Sequence, residues 1–272
     1  MPQGDSPSHT SELMAFAHEL ADAAGGEIAP LFRRAGMAHD KSSGAAYDPV
    51  TEADRAAERR IRELIAAAYP AHGIIGEEFG SHQPDSEHCW IIDPIDGTRA
   101  FMSGLPVWGT LIGLRARGRP VLGIMDQPFT QERFWSDGTG ASYRRGDGAP
   151  ELMTTSGCAR LEDGVLAATT PDMFRTDEEQ SGFAAISSRA RLTRYGGDCY
   201  NYCMLAMGLI DIVVEAGLNS FDIVALAPII EAAGGCVTTW DGRAAEQGGD
   251  IVATANATLH HAALEALHAA RR

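Results

Sequence analysis

Apolar residues recur through Ser11 to Phe32 at helical spacing, with Leu13, Phe16, Ala17, Leu20 and Ala24 on one side. That pattern predicts an N-terminal helix despite Gly25 and Gly26 near its end. Lys41 to Pro49 carries serine, glycine and proline and reads as a turn or loose hairpin. Thr51-x-x-Asp54 then opens a second helix, with Ile61, Leu64 and Ile65 as its buried stripe, running to about Tyr69. From Gly73 the period changes. Short apolar runs closed by acids or glycine (Ile74-Ile75, Trp90-Ile91-Ile92, Val107 to Leu114, Val121 to Met125, Arg133 to Trp135) predict the strands of a sheet.

The second half alternates. Gly164 to Thr169, Leu192 to Tyr195 and Ile212 to Val214 are strand-like, whereas Glu178 to Ile186 and Tyr200 to Met207 are helix-like. A helix from Asp222 to Ala233 should close at Gly234-Gly235 and be kinked or divided by Pro228. Strands at Val237 and Ile251-Val252 and a helix from Ala262 to Ala269 complete the chain. The Gly- and charge-rich stretch Arg144 to Pro150 suggests a division into an α+β half, residues 1–148, and an α/β half, residues 149–272.

With 44% apolar residues among 272, the chain can bury a sizeable core. Thirty-seven acidic against 22 basic side chains give a net charge of −15, which would repel a nucleic-acid backbone. A small anion stays compatible with that charge, because a bound metal reverses the local potential. Five cysteines without a C-x-x-C suggest reduced, buried thiols, Cys199 and Cys203 among them, and a cytoplasmic setting. No signal-like segment and no apolar run of membrane-spanning length is expected. His260-His261 is expected on an exposed helical surface.

The stretch richest in chemistry is Trp90-Ile91-Ile92-Asp93-Pro94-Ile95-Asp96-Gly97-Thr98, an apolar strand that ends at one acid before a turn presents a second. Pro94 fixes the turn, Gly97 lets the backbone approach a ligand, and a helix opening at Thr98 would point free N–H groups at the same spot. Such a site suits magnesium with a bridging phosphate. Two acids around a proline turn can equally cap the following helix. Gly76-Glu77-Glu78 also lies at a strand end, where α/β sheets place ligand-binding groups.

With these elements the chain resembles the inositol monophosphatase family of magnesium-dependent phosphatases. The elements are Gly76-Glu77-Glu78, Asp93-Pro94-Ile95-Asp96-Gly97-Thr98, Phe221-Asp222 leading to Glu231-Ala232-Ala233-Gly234-Gly235, and the upstream Lys41-Ser42 with Asp48-Pro49-Val50-Thr51-Glu52-Ala53-Asp54. The resemblance implies a layered αβαβα sandwich of the inositol monophosphatase and fructose-1,6-bisphosphatase type. It implies one magnesium ion held by Glu77, Asp93 and the Ile95 carbonyl, a second held by Asp93, Asp96 and Asp222, and a weaker third near Glu77. Thr98 and Asp54 would orient and deprotonate the attacking water, with Glu77 also in the catalytic set, and the Gly97 and Thr98 N–H groups would cradle phosphate. A homodimer is implied as well. Two metals roughly 3.5–4 Å apart can activate water and stabilise the leaving oxygen. From the residues alone, Asp54 could instead be the acid of a capping box with Thr51.

Arg194-Tyr195-Gly196-Gly197-Asp198-Cys199-Tyr200 resembles the histidinol-phosphatase branch, whose members show G-G-D-C-Y. Asp96 to Phe101, Met125 to Pro128 with Glu132-Arg133, and Thr169 to Phe174 resemble that branch too. Histidinol phosphate carries an ammonium and an imidazole, for which Asp198 and Glu215 offer charge-assisted hydrogen bonds, with Gly97 and Thr98 at the phosphate end and Asp222 also in the substrate-binding set. Asp198 could also cap the helix that follows. Inositol 1-phosphate or another small phosphomonoester is the alternative substrate. Phe221, where the family has Trp, would alter the pocket's shape.

Overall fold

The computed structural model of the chain describes residues 7–33, 38–40 and 49–270. Lys41, Ser42 and Asp48 lie outside the described residues, as does the side chain of Thr51. Helix α1 (Pro7–Ile28) buries Leu13, Phe16, Ala17, Leu20 and Ala24, the stripe its spacing predicts. Gly25 leaves the helix intact and lets it close on the sheet: a Cβ there would stand 3.1 Å from Pro128 Cβ. The short strands β1 (Ala38–Asp40) and β2 (Pro49–Thr51) pair antiparallel, and α2 (Glu52–Ala68) packs Ile61 and Ile65 into the same core as α1.

Strands β3 (Gly73–Gly76), β4 (Gly80–His82) and β5 (His88–Asp96) are followed by the short helix α3 (Thr98–Met102). The sheet continues with β6 (Gly109–Ala116), β7 (Arg119–Gln127), β8 (Glu132–Ser136), β9 (Ala141–Arg145) and β10 (Glu151–Leu152). The eight strands run in the order β10-β9-β8-β7-β6-β5-β3-β4, antiparallel except for the β3–β5 pair. Beyond them lie β11 (Val165–Ala168), α4 (Asp177–Ser187), β12 (Leu192–Tyr195), α5 (Asp198–Ala206), β13 (Ile212–Leu218), α6 (Ser220–Ile223), α7 (Leu226–Ala232), β14 (Cys236–Thr239), β15 (Gly249–Thr254) and α8 (Ala257–Ala270). The second sheet has the order β12-β11-β13-β15-β14.

Local chemistry explains the breaks. Pro228 has no N–H for the carbonyl of Val224, and the expected single helix is divided into α6 and α7 at Val224-Ala225. Gly234, at φ 101°, ends α7: its N–H reaches the Glu231 carbonyl and that of Gly235 the Ile230 carbonyl, the paired bonds of a Schellman stop. A reciprocal capping box between Thr176 and Glu179 starts α4.

Five layers result. The helices α1 and α2 cover one face of the eight-stranded sheet. Helices α5 and α7 fill the space between its other face and the second sheet, joining Leu111, Met125 and Phe134 to Val213, Val237 and Ile251. Helices α4 and α8 cover the far side of the second sheet around Phe183, Trp240 and Leu267. The order is αβαβα, as the resemblance implied.

One histidine departs from expectation. His260 is buried and hydrogen-bonds to the Thr238 and Thr254 hydroxyls, because α8 lays that face on β14 and β15; His261 next to it is exposed beside Glu265. All five cysteines are free, with Cys199 and Cys203 buried. No helix among the described residues is long and apolar enough to cross a membrane.

Candidate metal centre

Parallel pairing of β3 with β5 sets Gly76 beside Ile92, so the residues that follow, Glu77 and Asp93, leave adjacent strands at one level. The Glu77 N–H donates to the Ile92 carbonyl at 3.3 Å, and the carboxyl of Glu77 is hydrogen-bonded to Asp93. Pairing with β6 shifts register between Asp93 and Asp96, which turns both acids to the same end of the sheet. Asp93 Oδ1 accepts from the Ile95 N–H at 3.0 Å, and Thr110 Oγ1 donates to the Pro94 carbonyl at 2.8 Å, pinning the turn. Gly97, at φ 86°, then reverses the chain into α3.

Asp222 arrives from the second half. Its Oδ2 accepts from the Asn219 N–H at 2.6 Å in a capping box, which orients the carboxylate at the start of α6. The approach of that segment depends on Gly123, where a Cβ would meet the Ala225 carbonyl oxygen at 1.8 Å. One ligand atom each from Asp93, Asp96 and Asp222 lies within 4.8 Å of the others.

Burial, and then the charges of Glu77, Asp96, Asp222 and Asp54, hold the Asp93 carboxyl well above the ordinary carboxylate range. Burial with Asp198 and Asp222 does the same to Asp96. Glu77 is exposed at the rim of the cluster while its carboxyl bonds to Asp93, and removal from water with the charge of Asp54 pushes it up to about 7. Burial lifts Asp222 to about 6. Acids that repel one another and converge on one point, Asp93 buried and Asp96 and Asp222 half-buried, are a donor set for a hard divalent cation, and a carboxylate-rich oxygen set is what magnesium takes.

The remaining candidates are distributed around this cluster. Asp54, on α2 and 2% exposed, is close enough for its charge to act on both Glu77 and Asp93. Thr98 Oγ1 donates to the Ile95 carbonyl at 3.2 Å, so the hydroxyl and the carbonyl expected at a metal face each other. A cavity of about 120 Å³ adjoins the acids, lined by Asp96, Thr169, Met173, Asp198, Cys199, Tyr202, Glu215, Leu218 and Asp222. Glu215 forms its buried wall, where its carboxylate accepts from the Thr169 N–H and hydroxyl and from Tyr202 Oη at 2.9 Å. Burial pushes its acid up to about 7 in spite of those donors. Asp198 lies against Gly97, where a Cβ would be 3.1 Å from its own Cβ, and burial raises it to about 6 against the pull of Arg99.

Asp198 does not cap α5. Gly197 holds the cap position, Asp198 has φ 43° in the first turn, and the Cys199 N–H instead donates to Asp96 Oδ2 at 2.7 Å. The carboxylate that caps this helix therefore comes from the other half of the molecule. Glu132, expected only as part of a resembling stretch, accepts from Tyr143 and from Tyr200 on α5 and so ties that helix to the first sheet. Glu58 was not expected from the sequence, although an acid on the Asp54, Ile61, Ile65 stripe of α2 was a usable signal.

Residues 9–272 match the model of the inositol monophosphatase family. The chain is 37% identical to the chloroplastic bifunctional phosphatase IMPL2 of Arabidopsis thaliana, over 97% of this chain and 78% of that one. It is 36% identical to a histidinol-phosphatase of Mycobacterium tuberculosis, over 81% of this chain and 85% of that protein. Among solved structures, an inositol monophosphatase from Zymomonas mobilis superposes with a TM-score of 0.84 at 39% identity, covering 95% of this chain and 98% of the other.

Proposed function

The chain belongs to the inositol monophosphatase family of metal-dependent phosphatases, and from that premise we propose that it hydrolyses L-histidinol phosphate to L-histidinol and phosphate with magnesium. The observation that carries the substrate is the cavity beside the acid cluster, whose lining holds four carboxylates, Asp96, Asp198, Glu215 and Asp222, and no basic side chain. Asp96 and Asp222 would have their charge offset by the metal they would hold. Asp198 and Glu215 are left to face the leaving group, and a buried acid selects an ammonium or imidazolium over the neutral hydroxyls of a polyol. Relatives named histidinol-phosphatases at 33–36% identity support the same choice.

Glu77, Asp93, Asp96, Asp222 and the Ile95 carbonyl would hold the magnesium ions, which supply Lewis acidity toward the phosphate and lower the pKa of water. The chain's own residues do the positioning. Thr98, already bonded to the Ile95 carbonyl, would turn its hydroxyl to the attacking water, and Asp54 would take the proton. Free N–H groups at Gly97 and Thr98 would cradle the phosphate. Asp198, held against Gly97, would stand between the phosphate and amine ends of the substrate.

A panel of phosphate esters tests the assignment. In magnesium, kcat/KM for histidinol phosphate should exceed that for inositol 1-phosphate by at least about tenfold, or ~1.4 kcal/mol. The likeness to the Zymomonas inositol monophosphatase favours the second substrate, and a ratio below that margin would refute the histidinol-phosphate assignment.

A further inference from the structure

Glu58 follows Asp54 by one turn of α2 and is fully enclosed, at 0% exposure. Its carboxylate does not point at the acid cluster. One oxygen accepts from the Glu78 N–H at 2.7 Å, and the other accepts from the Phe79 N–H at 3.2 Å and from Arg62 Nε at 2.7 Å. Arg62 in turn donates to the Gly80 carbonyl. The fit is close enough to dictate the neighbouring residue: a Cβ on Gly76 would stand 2.1 Å from Glu58 Oε1.

We propose that Glu58 is a positioning residue of the metal centre, holding the turn after β3 so that Glu77 faces Asp93 and Asp54. The inference rests on the assignment of Glu77 as a metal ligand. Charge-assisted bonds to backbone N–H groups are stronger and shorter than neutral ones, and they act here on the two residues that directly follow Glu77. Asp54 and Glu58 share one face of α2, so the helix sets the water-side acid and the Glu77 turn as a single rigid unit. An apolar residue would fill the space but orphan two N–H groups. Glutamine would keep the shape while turning an NH₂ toward a donor.

The test is calorimetric titration of the full chain with Mg²⁺, for the wild type, Glu58→Gln and Glu77→Gln. Glu58→Gln should weaken Mg²⁺ binding about tenfold, the usual cost of losing a group that supports a ligand. It should raise the Mg²⁺ requirement for activity by the same factor, with kcat at saturating metal retained within about threefold. A Glu58→Gln protein with unchanged Mg²⁺ affinity and only a lowered Tm overturns the proposal. If Glu77→Gln also leaves Mg²⁺ affinity unchanged, the ligand assignment itself falls. Hydrogen exchange on the wild type supplies a reading that needs no variant. Mg²⁺ should slow exchange at the Glu78 and Phe79 amides more than at Leu166 in β11, and no difference between them refutes the coupling.

Discussion

Magnesium should stabilise this protein more as the pH rises, for a reason visible in the acid cluster. Burial lifts Asp222 from 3.8 to about 6, and removal from water with the charge of Asp54 lifts Glu77 from 4.5 to about 7. A carboxyl raised in the folded state prefers to be protonated there. Its stabilising contribution is complete below the unfolded pKa and is lost as pH climbs through the folded value, here between about pH 4 and 7. For Asp222 alone the shift corresponds to about 3 kcal/mol at ~1.36 kcal/mol per unit. Glu77 adds less than its shift suggests, because the residue is exposed and solvent screens it. A cation holds these acids ionised and removes the loss. Metal at about a hundred times its Kd supplies ~2.7 kcal/mol, comparable to the repulsion it relieves. For a chain of this size that ~2.7 kcal/mol should appear as roughly 5–10 °C in Tm. The assay is thermal unfolding in EDTA and in Mg²⁺ from about pH 5 to 8, read as the difference between the arms. His18, lowered to about 4 by burial and then by Arg133 and Arg144, has the opposite sign, with stability lost as pH falls from 6.5 toward 4. It is common to both arms and cancels. A difference that is flat with pH, or larger at about pH 5 than at 8, would refute the account of the cluster.

Asp93→Asn should lower turnover about a thousandfold or more, since a shared ligand loses its charge, while raising the Tm of the metal-free protein by relieving repulsion; activity near wild type would exclude the metal assignment. Arg133→Met removes the 2.7 Å partner of Asp126 Oδ1, an acid 5% exposed, along with a bond to Asp22 on α1. The stranded buried charge should cost about 3–5 kcal/mol in denaturant unfolding, and a loss under ~1 kcal/mol would mean that the pair contributes little.

How far the sequence reached is clearest at particular residues. The period of α1, the division at Pro228 and the stop at Gly234-Gly235 are local events, governed by backbone chemistry within a few residues, and each was legible. Asp93 and Asp96 could be paired from their spacing alone, because a strand end and a proline turn bring them together without outside help. Asp222 could be added only through resemblance to a family, since no local rule joins positions so far apart. His260 shows the limit from the other side: whether a helical histidine is wet or buried depends on which face of α8 meets β14 and β15, and nothing nearby in sequence fixes that.

The sequence by itself thus determined the type and approximate place of most helices and strands, though not their ends or the strands β4, β9 and β10, that acids stand at strand ends, and which family the pattern resembles. Only the tertiary structure decided that Asp96 of the first half caps α5 of the second, that Glu58 grips the turn beyond Glu77, and that Glu215 is a buried wall held by Thr169 and Tyr202. The physical reason is common to all three. A carboxylate's partners are chosen by which N–H and O–H groups the packed layers bring within about 3 Å, and that proximity is a property of the fold and not of spacing along the chain.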